Sequence, residues 1–261
     1  MAVAKFVKIA SVSGGKDSTA MLILLKEQGA KLDYVVFNNT GIEFPQQVHY
    51  VRQKLAPWVK ENFGLEIIEI HPKEPFGLQV KKHGVPFVPV GRWCCRTLKK
   101  EPFYLWLKEK GIKYIDLYQG YTVDEILRFK NARRKVKSYA RKFGVKIVHL
   151  YAPLIDLGIG EKEALELTKE HGLYNELYDY FDRTGCYLCP YQSINDWRTL
   201  FWNFPRLFNT AKKLEEMSIK EHGKKFHSNY TLGELEKRFR MEKRQSNLLE
   251  FVEIPLTVAE R

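Results

Sequence analysis

Ser11-Val12-Ser13-Gly14-Gly15-Lys16-Asp17-Ser18-Thr19 is the stretch of sequence that decides the fold. It follows an apolar run at residues 6–10 and precedes a second apolar run at residues 21–25. This order predicts a strand, a glycine turn and the start of a helix. A helix N-terminus after a tight turn offers backbone N–H groups and a partial positive charge to an anion. The stretch therefore predicts a phosphate-binding loop.

The residue types in this loop suit a polyphosphate. Gly14 and Gly15 let the backbone approach an anion because no Cβ is in the way. The Walker A spacing is absent, since Ala10 stands where its first glycine would be. We expect Lys16 and Asp17 to be catalytic, with Asp17 either holding Mg²⁺ or simply starting the helix. The loop residues predicted to bind a nucleotide are Ser11, Ser13, Gly14, Gly15, Lys16, Asp17 and Ser18.

Strand and helix patterns alternate along the chain, which predicts an α/β fold of the Rossmann-like kind, with a parallel sheet covered by helices on both faces. The predicted strands are Phe6–Ser11, Tyr34–Asn38, Leu65–Ile70, Tyr114–Gln119 and Val145–Leu150. The predicted helices cover about 18–29, 46–62, 97–110 and 124–142, and Pro57 should kink the second. Residues 71–93 are rich in Pro and Gly and predict a long loop.

The predicted domains are residues 1–195, which hold the sheet, and residues 196–261, a helical C-terminal extension. Ligands of an open parallel sheet bind outside the carboxyl ends of its strands. This rule brings together the loops at 12–17, 39–45 and 120–125. We therefore add to the predicted nucleotide-binding residues Asn39, Thr40, Gly41, Gly120 and Arg128.

Composition narrows the class of protein. The chain has 261 residues, 44% of them hydrophobic, which is enough for a packed core. No apolar run approaches the roughly 20 residues that span a bilayer, and the N-terminus lacks the apolar stretch of a signal peptide. We expect a cytoplasmic protein without a membrane partner.

The net charge of +12 is unevenly distributed. Residues 126–155 contain no acidic residue, although nine basic residues lie within them. Such a segment favours nucleic acid (tRNA or DNA) or another polyanion as a partner, the alternative being an ordinary solvated helix face. The nine are Arg128, Lys130, Arg133, Arg134, Lys135, Lys137, Arg141, Lys142 and Lys146.

Four cysteines form two pairs, the adjacent Cys94 and Cys95 and the C-x-x-C pair Cys186 and Cys189. Disulfides are rare in a cytosolic chain. Two pairs of thiols, with no further cysteine in the sequence, suit a metal or cluster site. Adjacent ligands favour a [4Fe–4S] cluster over zinc. A redox C-x-x-C and uncoordinated thiols remain alternatives.

Several motifs together resemble the PP-loop ATP pyrophosphatase superfamily in its phosphoadenylylsulfate (PAPS) reductase-like branch, over roughly residues 5–195. Besides the loop, residues 39–45 (Asn-Thr-Gly-Ile-Glu-Phe-Pro) resemble its D-T-G-x-x-F-P segment, with Asn39 in place of Asp. Residues 93–102 resemble C-C-x-x-x-K-x-x-P, and residues 120–128 resemble G-x-R-x-x-E-S-x-x-R. The stretch from Pro153 through Tyr178 to Pro190 resembles the segment that ends in G-C-x-x-C-P. The resemblance implies the adenine nucleotide alpha hydrolase-like fold, bound ATP and a [4Fe–4S] cluster beside it.

Two departures favour ATP chemistry within that branch. Sulfate reductases attack with a cysteine near the C-terminus, whereas no cysteine follows Cys189 in this sequence. They also usually lack the loop lysine that this chain keeps as Lys16. We therefore predict an ATP-dependent sulfurtransferase-type enzyme, similar to tRNA thiolation or DNA phosphorothioation enzymes. It would adenylylate a nucleic acid, release pyrophosphate and use the cluster for sulfur transfer. Two alternative functions remain open.

One alternative is an adenylylsulfate or PAPS reductase that uses the thiol of a partner. The other is a non-catalytic subunit that bears a cluster and binds nucleotide within a nucleic-acid complex. A sulfur donor or reductant protein is a further candidate partner.

Overall fold

The computed structural model describes residues 6–88 and 93–252. Five parallel strands form one sheet in the order β3-β2-β1-β4-β5. The strands are β1 (Val7–Val12), β2 (Tyr34–Asn38), β3 (Ile67–Ile70), β4 (Tyr114–Gln119) and β5 (Ile147–Tyr151). The predicted strands are confirmed, with ends within two residues of those observed. The chain leaves β1 in one direction to reach β2 and β3, and in the other to reach β4 and β5. The topological switch point therefore lies at the carboxyl ends of the neighbouring strands β1 and β4, where ligands of such sheets bind.

Helices connect the strands and continue after the sheet. In chain order they are α1 (Lys16–Glu27), α2 (Pro45–Tyr50), α3 (Ala56–Phe63), α4 (Phe76–His83), α5 (Trp93–Cys95), α6 (Glu101–Glu109), α7 (Ile126–Arg141), α8 (Pro153–Asp156), α9 (Glu161–Glu170), α10 (Ile194–Asn203), α11 (Pro205–His222) and α12 (Leu232–Val252). Short 3₁₀ turns lie at Val123–Glu125 and Glu176–Asp179. No described helix combines the length and the apolarity that crossing a membrane requires.

Apolar side chains cover both faces of the sheet, as a Rossmann-like α/β fold requires. On one face, α1 and α3 pack against β1 and β2 through buried residues such as Leu22, Leu25 and Val59. On the other face, α6 and α7 pack against β4 and β5. A smaller cluster joins α1 to α8 and α9 through Ala20, Leu24, Leu154 and Ala164. These contacts fix the start of α1 at the switch point.

Two predicted helices are interrupted by π-helical turns. The helix predicted over 46–62 consists of α2, a π turn at Val51–Leu55 and α3, and a second π turn at Arg96–Lys100 precedes α6. Each π turn ends two residues before a proline, Pro57 or Pro102. Proline has no N–H to donate and its ring crowds the carbonyl four residues earlier, so the preceding turn widens. The expected distortion at Pro57 is therefore a π turn.

The prediction of one long loop over residues 71–93 is wrong. Helix α4 lies within it, and Trp93 begins α5. The apolar residues Phe76 and Val80 are four positions apart, are both buried and lie on the same side of α4. Burial of this pair outweighs the loop tendency of the neighbouring Pro and Gly. Residues 89–92 of the predicted loop lie outside the described residues.

The described residues form two compact units. The first contains residues 6–76 and 93–186, and the second contains residues 77–88 and 187–252. Within the second unit, buried Glu215 accepts hydrogen bonds from the backbone N–H groups of Phe226 (2.9 Å) and Leu232. The helices predicted for the C-terminal part are present up to Val252. The division into domains at residue 195 stays a prediction.

Candidate active site

The predicted phosphate loop lies between β1 and α1. Gly14 has φ +76°, a left-handed conformation that favours glycine, and a Cβ there would lie 2.4 Å from Nε2 of Gln47. The loop carbonyls are held from two other segments. Gln47 donates a hydrogen bond to the carbonyl of Ser13, and Asn175 donates one to the carbonyl of Gly14 (3.0 Å). The loop is therefore fixed before any ligand arrives.

The loop hydroxyls contribute to this fixation. The Oγ of Ser18 accepts from the N–H of Ser13 (3.1 Å) and donates to the carbonyl of Gly15 (3.0 Å). The Oγ of Ser13 accepts from the N–H of Gly15 (3.3 Å). Ser11 lies within β1, where it is in register with Val36 and Gln119 of the neighbouring strands. Ser13 and Ser18 thus shape the loop, and their binding to phosphate stays a prediction.

Lys16 is the buried cation of the site, with 7% of its side chain exposed. Its Nζ lies 3.0 Å from Oε2 of Glu161 and 3.6 Å from Oδ1 of Asp17. Its backbone N–H donates to the hydroxyl of Tyr178 (2.8 Å), and its ammonium lies over the ring of the same residue. Burial acts to lower the pKa of Lys16, but Asp17, Tyr178 and Glu161 outweigh it and the pKa is raised. Lys16 therefore stays charged at neutral pH.

Asp17 lies beside Lys16 in the first turn of α1. Burial raises the pKa of Asp17 to about 6, against the opposing effect of Lys16. The carboxylates of Glu161 and Glu125 add to the rise. The Oδ1 of Asp17 is buried without a hydrogen-bond partner. A buried carboxylate oxygen of this kind is a suitable ligand for Mg²⁺.

Asp17→Asn should stabilise the protein at pH 8, by about 2 kcal/mol in metal-free buffer. Folded Asp17 keeps its proton up to about pH 6, whereas the unfolded chain loses it near the model value of 3.8. The ionised group therefore destabilises the fold above pH 6, and this destabilisation disappears as the pH falls towards 4. Denaturant unfolding between pH 4 and pH 8 measures the difference. The exposed Asp156→Asn is the control, and equal stability of Asp17→Asn and the parent at pH 8 would contradict the expectation.

Gly120 follows β4 and lies against the start of α1. A Cβ on Gly120 would lie 2.5 Å from the carbonyl carbon of Asp17 and 2.6 Å from the backbone nitrogen of Ser18. Backbone atoms cannot rotate away as a flexible side chain can, so only glycine fits. The predicted residues Lys16, Asp17 and Gly120 are thus brought together at the switch point between β1 and β4.

Buried polar atoms without hydrogen-bond partners mark the same edge of the sheet. Besides Asp17, they include Oδ1 of Asn38, the last residue of β2, and Oγ1 of Thr122, three residues after β4. Unpaired polar atoms are costly to bury, so each requires an explanation such as a ligand or a water molecule. Three of the five such atoms in the described part of the chain lie at or after the ends of three adjacent strands, at the edge where ligands of parallel sheets bind.

The predicted residues 39–41 form a turn after β2. Asn39 donates from Nδ2 to Oε2 of Glu69 (3.2 Å), while its Oδ1 accepts from the N–H of Gly41 (3.1 Å). Thr40 donates to Oε1 of Glu43 (3.0 Å). These contacts leave Asn39 and Thr40 occupied within the protein, and their binding to nucleotide stays a prediction. Arg128, the last predicted nucleotide-binding residue, pairs with Glu125 and is 62% exposed.

Three of the four cysteines belong to the first unit. Cys94 and Cys95 lie in α5, and Cys186 donates from Sγ to the buried carboxylate of Glu43 (3.4 Å). Cys186 and Cys95 both act to raise the pKa of Lys99, Cys186 most strongly, together with Glu43. Cys189 belongs to the second unit. Across the described ranges, no three metal-ligating side chains lie close enough together to hold an ion.

Several residues of the site were not predicted as site residues from the sequence. Glu161 and Tyr178 contact Lys16, although they are 145 and 162 residues away in the sequence. Both lie in the stretch from Pro153 to Pro190 that resembles a family segment, but only the folded structure shows that they contact Lys16. Glu43 and Lys99 also stand inside the quoted motifs, and Lys99 is the lysine of C-C-x-x-x-K-x-x-P, which was the available signal.

A known protein family matches most of the chain. The phosphoadenosine phosphosulfate reductase domain matches residues 8–192. Two curated relatives come from Methanocaldococcus jannaschii, the uncharacterized proteins MJ0066 and MJ0973. MJ0066 is 31% identical over 219 residues, which are 80% of this chain and 42% of the relative. MJ0973 is 31% identical over 202 residues, which are 76% of this chain and 45% of the relative. The chain thus spans less than half the length of these relatives.

A similar solved structure is the U34-tRNA thiolase NcsA from Methanococcus maripaludis with its [4Fe-4S] cluster. It is 19% identical, and the alignment covers 99% of this chain and 77% of NcsA with a TM-score of 0.47. Similarity at this level is too low for the reaction of NcsA to bear on this chain.

Proposed function

The chain belongs to the phosphoadenosine phosphosulfate reductase domain family, and on that premise we propose that it is an ATP-dependent enzyme that adenylylates an acceptor and releases pyrophosphate. ATP would bind at the carboxyl ends of β1, β2 and β4, with its phosphates on residues 13–18. Sulfide-level sulfur from a donor would then attack the activated acceptor, and AMP would leave with the acceptor's oxygen and the bonding electron pair. The observation that carries this proposal is the buried ammonium of Lys16 at the phosphate loop, beside buried oxygens of Asp17 and Thr122 that make no hydrogen bond.

The site can support this reaction in a simple way. An oxygen of the acceptor attacks the α-phosphorus, and the bond from that phosphorus to the bridging oxygen of the β-phosphate breaks. The bridging oxygen leaves on pyrophosphate with the bonding electron pair. A cation placed against the departing charge stabilises it in the transition state, and Lys16 would have this role. Asp17 would hold Mg²⁺, which supplies further positive charge when bound.

Glu161 would be displaced when ATP binds. Its carboxylate lies 3.0 Å from Nζ of Lys16, in the position where a phosphate oxygen would pair with the ammonium. Two anions cannot share that ammonium without mutual repulsion, so Glu161 has to turn away or share a cation with the phosphates. The side chain is 47% exposed and has space to do so.

Calorimetry tests this proposal with Mg-ATP, adenylylsulfate and PAPS as separate ligands. Tightest binding of Mg-ATP, with pyrophosphate release when acceptor is added, is the expected result. Tightest binding of a sulfated nucleotide, with sulfite release in the presence of thioredoxin, would instead establish a reductase that uses a partner's thiol. Tight binding of a nucleotide without any product would identify a non-catalytic nucleotide-binding subunit.

We also propose that the four cysteines hold a [4Fe–4S] cluster, which when bound would supply sulfur-transfer chemistry. Four thiols without other ligands suit such a cluster, and the ammonium of Lys99 near Cys95 and Cys186 would balance its negative charge. Among the described residues no group of side chains forms a metal site, so the types and pairing of the four cysteines carry this part of the proposal. No step of the ATP reaction above depends on the cluster.

Anaerobic reconstitution is expected to load about four iron and four sulfide ions per chain. Cys186→Ser and Cys95→Ser should each lose most of the iron, whereas Thr97→Ser, in the same segment as Cys95, should lose none. Iron and sulfide analysis with visible absorbance measures the loading. Stoichiometric zinc without iron uptake would show a zinc site, and iron loading unchanged by both cysteine variants would contradict the proposed ligands.

The acceptor we propose is nucleic acid, tRNA or DNA. The support for this part is the charge of α7, which has seven basic and no acidic residues. A basic helix without countercharges attracts the phosphate backbone at long range. The cytoplasmic location expected from the sequence is likewise a proposal, consistent with a nucleic-acid substrate.

A further inference from the structure

Helix α7 presents five of its seven basic residues on one flank. Its apolar residues Phe129, Ala132 and Val136 pack into the core together with Tyr139 and Ala140. At about 100° per residue, five basic residues fall within an arc of about 100° on one flank of the helix. All five are exposed; they are Lys130, Arg133, Arg134, Lys137 and Arg141. Among the described residues, Arg128 is the only member of α7 in an ion pair, and it lies on the other flank.

A row of aromatic rings lies on the opposite face of the sheet. His149 stacks on Phe6 with ring centroids 4.8 Å apart, and Tyr151 stacks on Tyr118 at 5.1 Å. His149 and Tyr151 meet edge to face at 6.3 Å, so the four rings form one continuous row. We call these four residues the aromatic row. His149 is held by Oδ1 of Asp116 (2.9 Å), which fixes its ring plane.

Two members of the aromatic row are open to solvent. The exposed fraction is 44% for the side chain of His149 and 38% for Tyr151. Both stand on β5, the edge strand, where alternate residues Val148 and Leu150 point to the core beneath α7. Exposed stacked rings on an edge strand contribute little to the core, so their arrangement suits contact with another flat group.

The basic flank of α7 faces the β5 edge of the sheet, and the other face of β5 carries the aromatic row. Tyr139 of α7 packs against Tyr104 of α6, with ring centroids 5.4 Å apart, and the basic flank lies on the opposite side of α7 from Tyr139, so it faces away from α6 and towards the outer edge. In agreement with this placement, Arg133 opposes the rise in the pKa of Tyr151 that burial and the carboxylate of Asp116 cause. The five basic residues share the flank of Arg133, so positive charge borders the row along the strand edge.

We propose that the aromatic row and the basic flank of α7 form one binding surface for a single-stranded segment of nucleic acid. Its bases stack on Tyr151 and His149, and its phosphates follow the basic flank. This inference deepens the proposed function, on which it rests, by placing the acceptor on a named surface. Proteins that bind single-stranded nucleic acid without sequence preference use exposed aromatic rings, on which bases stack, beside a basic groove that binds the phosphates.

The combination favours single-stranded nucleic acid over other anionic partners. A duplex buries the faces of its bases, so it would use the basic flank and leave the aromatic row without a contact. A membrane surface would need an amphipathic helix with an apolar face turned outward, whereas the apolar face of α7 is packed in the core. Stacked rings and a bordering line of positive charge match bases joined by phosphates.

Fluorescence anisotropy measures binding to this surface in the absence of ATP. The probes are a labelled unstructured RNA of 15 nucleotides and the same sequence as a duplex. Anionic vesicles of phosphatidylserine and phosphatidylcholine serve as competitors of the labelled RNA. The parent protein should prefer the single strand. Tyr151→Ala should weaken single-strand binding roughly tenfold and duplex binding little. The triple variant of Lys130, Arg133 and Lys137 to alanine should weaken both and reduce the salt dependence (log Kobs against log[salt]) by about 2.

A charge-matched control replaces Lys31, Lys54 and Lys60 by alanine near the opposite edge of the sheet, and it should bind RNA as the parent does. Equal losses of RNA affinity for this control and the α7 triple variant would overturn the proposal. Two further results would also overturn it: RNA binding that Tyr151→Ala leaves unchanged, or a preference of the parent for the duplex or the vesicles. Calorimetry of Mg-ATP on the same variants separates the two proposals. Intact ATP binding with no RNA effect overturns the surface alone, whereas absent ATP binding in the parent overturns the function.

Discussion

Lys16→Ala should slow pyrophosphate release about a thousandfold at saturating ATP. The ammonium is the buried cation at the loop and would be lost from the position where negative charge develops on the leaving pyrophosphate. Its removal also leaves the carboxylates of Asp17 and Glu161 without the cation that now lies between them. Their repulsion of the phosphates should therefore add to the loss. A coupled assay for pyrophosphate under anaerobic conditions measures the rate.

Lys26→Ala is the matched control, because Lys26 stands in the last turn of the same helix and donates only to the carbonyl of Asn62. Its rate should equal that of the parent. Glu161→Gln keeps the ammonium and removes one anion, so ATP should bind at least as tightly as before. Iron content should be the same in all three variants, since none touches a cysteine. Turnover of Lys16→Ala within a few-fold of the parent would exclude the phosphate role given to Lys16.

Gly120→Ala should abolish measurable binding of Mg-ATP and lower the free energy of unfolding by about 3 kcal/mol. The added Cβ would lie 2.5 Å from backbone atoms of Asp17, far inside van der Waals contact. The start of α1 and the end of β4 would have to separate, although the sheet pairs β1 with β4 immediately before them. Lys16 and Asp17 would then move with the backbone that carries them. Calorimetry with ATP and denaturant unfolding measure the two effects.

Gly77→Ala provides the comparison, since a Cβ on Gly77 meets no atom within 4 Å and the residue lies in a helix. Alanine is the better helix former, so this variant should be slightly more stable than the parent and should bind ATP equally well. If Gly120→Ala behaved like Gly77→Ala, the close approach of β4 to α1 would have no functional meaning.

The parts of the fold that depend on local pattern were predictable from the sequence. Alternating strands and helices predicted the parallel sheet, and the Gly-Gly turn after β1 predicted the loop and the helix behind it. The observed α1 begins at Lys16, within two residues of the predicted start. Gly29, Gly64 and Gly111 follow helices with positive φ, as glycine after a helix end usually does.

The parts that depend on distant contacts were not predictable. Tyr178 and Glu161 gain their roles only because the chain returns to Lys16 after more than 140 residues. The position of Gly120 after β4 predicted that it binds nucleotide. Its close approach to Asp17 was not predictable, because it follows from the pairing of β1 with β4. The helix at Phe76–His83 was missed because a single buried pair, Phe76 and Val80, outweighs its Pro and Gly neighbours.

The hydrogen bond from Lys16 to Tyr178 has a consequence for how the protein is made. The two residues are 162 positions apart, and the bond from Asn175 to Gly14 spans 161. All five strands are synthesised before Asn175 and Tyr178, because β5 ends at Tyr151. Contacts between residues so far apart in the sequence form late, after more local ones. The sheet can therefore assemble during translation, while the phosphate loop acquires its final shape only when synthesis of the first unit is nearly complete.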